Sequence, residues 1–106
     1  MTLIDYVKLG NINKIQELIA QGMDLNVQDE DGYTALIWAA CYSKPDMVKV
    51  LLDAGADDQI TDVDKHNALY WANYYGHPEV IELLNKSLDS KNLSDKKILT
   101  RKKKGK

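Results

Sequence analysis

Apolar residues in this chain recur at helical spacing in short bursts, separated by turn residues. The clearest burst lies between Asp31 and Ala56. Asp31-Gly32 is a turn signal, and Thr34 stands where it can cap a helix through Ala35, Leu36, Trp38, Ala39 and Ala40. Ser43-Lys44-Pro45 breaks that helix. Pro45 suits the first position of a second helix, because the N–H it lacks would have no partner there. Asp46 puts a negative charge in the new first turn, where the helix dipole favours it. Met47, Val48, Val50, Leu51 and Leu52 form a broad apolar stripe, and Gly55 stops the helix. Two helices of about eight to ten residues are marginal in water alone, so their apolar sides need cover.

The sequence supplies that cover by repetition. A shift of 33 residues carries Leu36, Trp38 and Ala39 onto Leu69, Trp71 and Ala72, Tyr42 onto Tyr75, and Pro45 onto Pro78. Val48, Val50 and Leu51 fall on Ile81, Leu83 and Leu84; backwards, Gly55 falls on Gly22, Asp57 on Asp24 and Leu52 on Ile19. A repeat of this length marks a solenoid, in which each unit buries its apolar side against its neighbours.

The words TALIWAA, PDMVKVLLDAGAD and NALYWANYYGHPEVIELL resemble the ankyrin repeat, whose pattern is a capped Thr-Pro-Leu-His, an Ala pair, Gly-His, and a Val-Leu-Leu run ending in Gly-Ala-Asp. The resemblance covers residues 1–86 and implies an all-α, ankyrin-type solenoid of three helix-turn-helix repeats with short β-hairpin loops. Departures stand at Ala35 and Ala68 for the motif Pro, and at Ile37 and Tyr70 for the motif His. Lys65 replaces the turn Gly, Asn73 replaces the second Ala, and the terminal Gly-Ala-Asp is lost near Leu88.

These readings divide the chain into a repeat domain, residues 1–93, and a basic tail, residues 94–106. The repeats fall at about 1–28, 29–61 and 62–86, followed by a C-terminal cap. The first unit begins directly in its first helix, as fits an end cap. Asn67 takes the capping place of Thr34 in the third unit. After Lys86 the apolar residues Leu88, Leu93, Ile98 and Leu99 are too sparse for a fourth unit. Ser94-Asp95 can start one short helix, and disorder is expected from Lys102. The single Cys41 excludes an internal disulfide. The lack of a signal-like start or a long apolar run gives the expectation of a soluble, intracellular chain without a membrane span; a monomer is expected. That chain would be cytoplasmic, with the nucleus open to it through its basic tail.

Charge changes the picture, because the net of −2 conceals a strong asymmetry. Residues 1–94 hold 15 acids and 7 bases, whereas residues 95–106 hold 7 bases and one acid. Candidate chemistry is sparse. Cys41 has no sequence motif pairing it with a base, and His66 and His77 carry no catalytic pattern around them. Asp57-Asp58 and Asp62-x-Asp64 lack the calcium-loop spacing and read as solvated turn acids. There is no clustered metal-ligand motif and no glycine-rich phosphate loop. The reading is therefore not an enzyme, with no cofactor and no metal.

The aromatic residues say more. Setting Tyr6 aside, Tyr33, Trp38, Tyr42, Tyr70, Trp71, Tyr74 and Tyr75 all fall in hairpin or first-helix segments, and none in the second helices. The resemblance places those segments on the concave side, where partners bind. Its variable contact positions match Glu30, Asp31, Tyr33, Cys41, Tyr42 and Thr61, then Val63, Asp64, His66, Tyr74 and Tyr75. The expected contact set is Asp31, Tyr33, Trp38, Tyr42, Asp64, His66, Trp71, Tyr74 and Tyr75. Trp38 and Trp71 admit a second reading, as partly buried residues stacked one above the other. Acids among the tyrosines favour a basic protein partner and disfavour nucleic acid. The tail RKKKGK is the exception: it could attach the chain to nucleic acid or an anionic surface, with the repeats as carrier. It could also fold back on the acidic hairpins, or simply keep the chain soluble.

Overall fold

The computed structural model describes residues 2–87. The expected terminal helix from Ser94, the cap around Leu88 and Leu93 and the basic tail lie outside the described residues. Within them the chain forms helices α1 (Leu3–Leu9), α2 (Ile12–Ala20), α3 (Ala35–Cys41), α4 (Pro45–Asp53), α5 (Ala68–Tyr75) and α6 (78–87). No strand occurs among the described residues. The hairpin loops are turns, each closed by two backbone bonds: Asp29 N–H to the Tyr33 carbonyl and Gly32 N–H to the Asp29 carbonyl, then Asp62 N–H to the His66 carbonyl and Lys65 N–H to the Asp62 carbonyl, all 2.9 Å.

Each first helix starts on a side-chain cap. Thr34 Oγ1 accepts the Ile37 N–H at 3.1 Å, and Asn67 Oδ1 accepts the Tyr70 N–H at 2.9 Å. Thr2 and Asp5 form a reciprocal capping box, in which the Asp5 carboxylate accepts the Thr2 N–H at 2.8 Å and Thr2 Oγ1 accepts the Asp5 N–H. α4 lacks a side-chain cap and opens instead with Pro45, whose missing N–H leaves one fewer donor to satisfy.

Packing follows the repeat. α3 lies between α1 and α5 and also packs on α4, its partner within the unit, while α2 meets α4. First helices thus form one row and second helices another. Small residues sit where the rows approach closely: Ala39, Ala40 and Ala72 have no exposed surface. Larger residues fill the space between rows, with Val7, Ile15, Leu36, Ile37, Val48, Leu51, Val80 and Leu84 fully buried. The stripe read from α4 is therefore split, Met47, Val48 and Leu51 inside and Val50 and Leu52 at its margin. Tyr6, set apart in the sequence, also lies on a first helix, α1.

A histidine ties the second and third units together. His77 Nε2 lies 3.1 Å from the Cys41 carbonyl, which can only accept, so Nε2 carries the proton. The residue immediately precedes α6 and also closes the exposed end of α3.

Candidate functional site

The two hairpins hold the aromatic face through a device used twice. Asp29 Oδ1 accepts the N–H groups of Asp31 and Tyr33 at 3.0 and 2.9 Å, while its Oδ2 accepts the Trp38 indole N–H at 2.9 Å. One repeat on, Asp62 Oδ1 accepts the N–H groups of Asp64 and His66, and Oδ2 takes the Trp71 indole N–H at 2.8 Å. Each carboxylate fastens a hairpin to the indole nine residues later. Burial works against the charge of both aspartates, yet the indole and backbone N–H groups outweigh it and hold both carboxyls below the usual range.

This corrects the reading of the turn acids as solvated. Asp62 is 4% exposed and Asp58 5%. Asp62 is covered because its carboxylate is needed inside the hairpin. Asp58 meets Gln59 Nε2 at 2.9 Å and the Ser87 hydroxyl at 3.1 Å. Asp57 and Asp64 remain exposed, as the sequence implied, and so does Asp31.

The tryptophans are not stacked directly on each other. Tyr33 stands between them, its ring centroid 4.9 Å from Trp38 and 5.9 Å from Trp71. Tyr33, one of the expected contact set, is not freely exposed: its ring is a half-buried wedge joining two units, and burial pushes its phenol pKa up. Trp38 continues to Tyr42 at 5.5 Å, and Trp71 to Tyr74 and Tyr75 at 5.4 and 5.8 Å. These outer rings stand clear of the core, Tyr42 at 44%, Tyr74 at 65% and Tyr75 at 52% exposure. Lys8, missed from sequence, reaches across from the first unit to lie 4.3 Å over the Trp38 ring.

His66 is also half-buried. It stacks on Tyr70 at 3.7 Å and meets the edge of Trp71 at 5.4 Å, so Tyr70 joins the expected set. The signal is present in the run of rings from Tyr70 to Tyr75, although Tyr70 is not one of the variable contact positions that the resemblance implies. Asp62, Asp64 and His66 bring ligand atoms within 4.8 Å of one another. Both Asp62 oxygens are already engaged by N–H donors, and the preceding hairpin builds the same loop with Tyr33 in the histidine's place. The trio follows from hairpin geometry.

Cys41 is poorly suited to nucleophilic chemistry. Burial, with a smaller push from the Asp62 charge, moves its thiol pKa up to about 11, so it stays protonated near neutral pH.

Paired helices at a fixed interval, with rings gathered along one row, define a helical-repeat solenoid with an open aromatic face. The model for ankyrin repeats in three copies matches residues 3–95, and the chain belongs to the ankyrin repeat family. It is similar to an ankyrin repeat domain-containing protein, SAT10, of Stachybotrys chartarum: 40% identical over 50 residues, 47% of this chain and 3% of that protein. It is also similar to serine/threonine-protein kinase 12 of Arabidopsis thaliana, 50% identical over 44 residues, which are 42% of this chain and 10% of the kinase. Among solved structures, the ankyrin repeat protein EF0377 superposes with a TM-score of 0.75 at 34% identity, covering 78% of this chain and 45% of that one. The chain thus spans a small part of the two curated relatives and under half of the solved one. Ankyrin repeats are generally protein–protein interaction modules, and their fold is typically a non-catalytic scaffold. No described helix is long and apolar enough to cross a membrane.

Proposed function

We propose that this chain binds a protein partner on the row of first helices, with Tyr42, Tyr74 and Tyr75 as the contacting rings. The observation that carries this is the join between exposed and anchored aromatics. Three solvent-facing tyrosines rest on indoles whose N–H groups are bonded to Asp29 and Asp62. Tyrosine gives large contact area for little lost side-chain freedom, and a fixed backing lowers that loss further. Tyr33, Trp38, Trp71 and His66 serve as the backing, and Tyr70, 40% exposed, widens the patch.

Charge sets the kind of partner. Glu30, Asp31 and Asp64 are exposed at the hairpin tips beside the rings, and they favour a basic or arginine-rich surface through faster encounter and rejection of acidic competitors. The chain works as a non-catalytic presenter of this face, and it carries no cofactor or metal in that role.

Chemical-shift mapping tests the assignment. On addition of the partner, amide signals of α3, α5 and the two hairpins should move while those of α4 and α6 stay. Movement confined to the second-helix row would refute it.

A further inference from the structure

The carboxyl ends of the three first helices close with the same bonds. The N–H groups of Asn11, Lys44 and His77 donate to the carbonyls of Tyr6, Ala39 and Ala72 at 3.0, 3.0 and 2.9 Å. Gly10, Ser43 and Gly76, enclosed by those bonds, all have positive φ, at 77°, 54° and 70°. A shared turn aims the residue before it in a shared direction, so Leu9, Tyr42 and Tyr75 occupy one station in successive units. All three stand clear of the core, Leu9 at 64% exposure beside Tyr42 at 44% and Tyr75 at 52%. Tyr42 belongs to α3, which has α1 packed on one side and α5 on the other. Its exposure is therefore a property of the station and does not depend on where the stack ends. The aromatic face thus continues into the first unit through an aliphatic residue, Leu9.

The three stations set a spacing. Packed helices lie about 10 Å apart, so the line from Leu9 to Tyr75 is about 20 Å long. An α-helix laid across the row presents residues i, i+7 and i+14 at intervals of about 10.5 Å, and these stay within about 40° of one another around its axis. Width selects the same shape. At seven residues α3 is about 10 Å long, which separates Tyr42 at its carboxyl end from the Asp31 tip before its amino end. A helix is about 10–12 Å across with its side chains. It touches both lines, the stations under one flank and the Glu30, Asp31 and Asp64 carboxylates under the other. An extended segment, about 5 Å across, reaches one line only. Charge excludes a second copy as the natural occupant: residues 2–87 carry 14 acids and 6 bases, and like surfaces repel.

We propose that the partner docks as an amphipathic helix lying across all three first helices. Three of its apolar residues, at heptad spacing, rest on Leu9, Tyr42 and Tyr75, and its arginines or lysines face Glu30, Asp31 and Asp64. The proposal rests on the first-helix row as the binding face, and adds to it the first unit and the partner's shape and register.

Peptide binding to the full-length chain tests it. One helical peptide of about eighteen residues carries leucines at i, i+7 and i+14 with arginines along one flank. A second has the same composition with the leucines at i, i+5 and i+10, which spreads them around the helix. A third is proline-rich and extended, with a leucine at every third residue and as many arginines. The first should bind about tenfold or more tightly than either of the others. Leu9→Lys, a surface change in the last turn of α1 that suits the helix dipole, should keep the melting temperature and weaken the first peptide by about tenfold or more. Equal affinity for the parent and Leu9→Lys, or for the two helical peptides, would overturn the proposal, as would tighter binding of the proline-rich one. Tyr42→Ala with Tyr75→Ala reads the binding face separately. Weakening by that pair with none by Leu9→Lys leaves the face standing and removes the three-unit helix, whereas weakening by neither removes both.

Discussion

Gly32 and Lys65 occupy the same place in successive hairpins, and both have positive φ, 85° and 70°. At Gly32 two constraints act together. The backbone is left-handed, and a Cβ would meet the Val63 nitrogen at 2.8 Å and the Asp62 Cα at 2.9 Å. At Lys65, whose side chain is exposed, the left-handed backbone is the constraint that applies. The contrast shows that glycine in this turn is required by the approach of the following unit as well as by the turn. A repeat's residues thus report where it stands in the stack.

Substitutions at matched positions sharpen that contrast. The largest effect is expected at Leu51, fully buried in the unit flanked on both sides, where Leu51→Ala should cost about 2–5 kcal/mol. Its counterpart Leu84 is 2% exposed in the third unit, and Leu84→Ala should cost less, because one fewer described unit packs there. Thermal melts compare the pair directly. Equal losses would mean that the ends and the middle of the stack are not distinguished by packing.

Next comes the turn. Gly32→Ala should destabilise by about 1–2 kcal/mol from its backbone conformation alone, with the close contact to Val63 adding to it. Lys65→Gly should act in the opposite direction, gaining about 1 kcal/mol or less. Urea titrations of both variants check the signs. A loss at Lys65→Gly would break the comparison.

Smaller and pH-dependent effects belong to the two carboxylates. Asp29 and Asp62 are held below the usual carboxylate range, against burial, by indole and backbone N–H donors. A depressed folded-state pKa gives stability that is fully present above the unfolded value of about 3.9 and is lost as pH falls through the folded value. The protein should therefore weaken below about pH 4. Asp62→Asn should be less stable at pH 7 and should lose less on acidification, since it has no proton to gain. An Asp62→Asn variant with the parent's acid dependence would remove Asp62 from this account.

Much of the architecture could be read from residues alone, because it depends on spacing. The interval of 33, the caps at Thr34 and Asn67 and the proline opening α4 are local or periodic features. The gathering of rings on first helices was legible for the same reason. What spacing did not disclose were contacts between a loop and a helix, or between one unit and the next. Asp62 is indistinguishable in sequence from its exposed neighbour Asp64, and only the fold sets its carboxylate beneath Trp71. The sequence around Tyr33 does not disclose its wedge position, because that position depends on the third unit. His77 stands in the sequence without a catalytic pattern, and its bond to the Cys41 carbonyl crosses 36 residues.

The central claim concerns the exposed rings, and the binding constant of the protein partner tests it most directly. Tyr42→Ala combined with Tyr75→Ala removes two exposed side chains without touching the buried core. The account predicts an unchanged melting temperature and an affinity lower by about thirtyfold or more, the size of a single interface hot spot. An affinity equal to the parent's, with the fold intact, would contradict it.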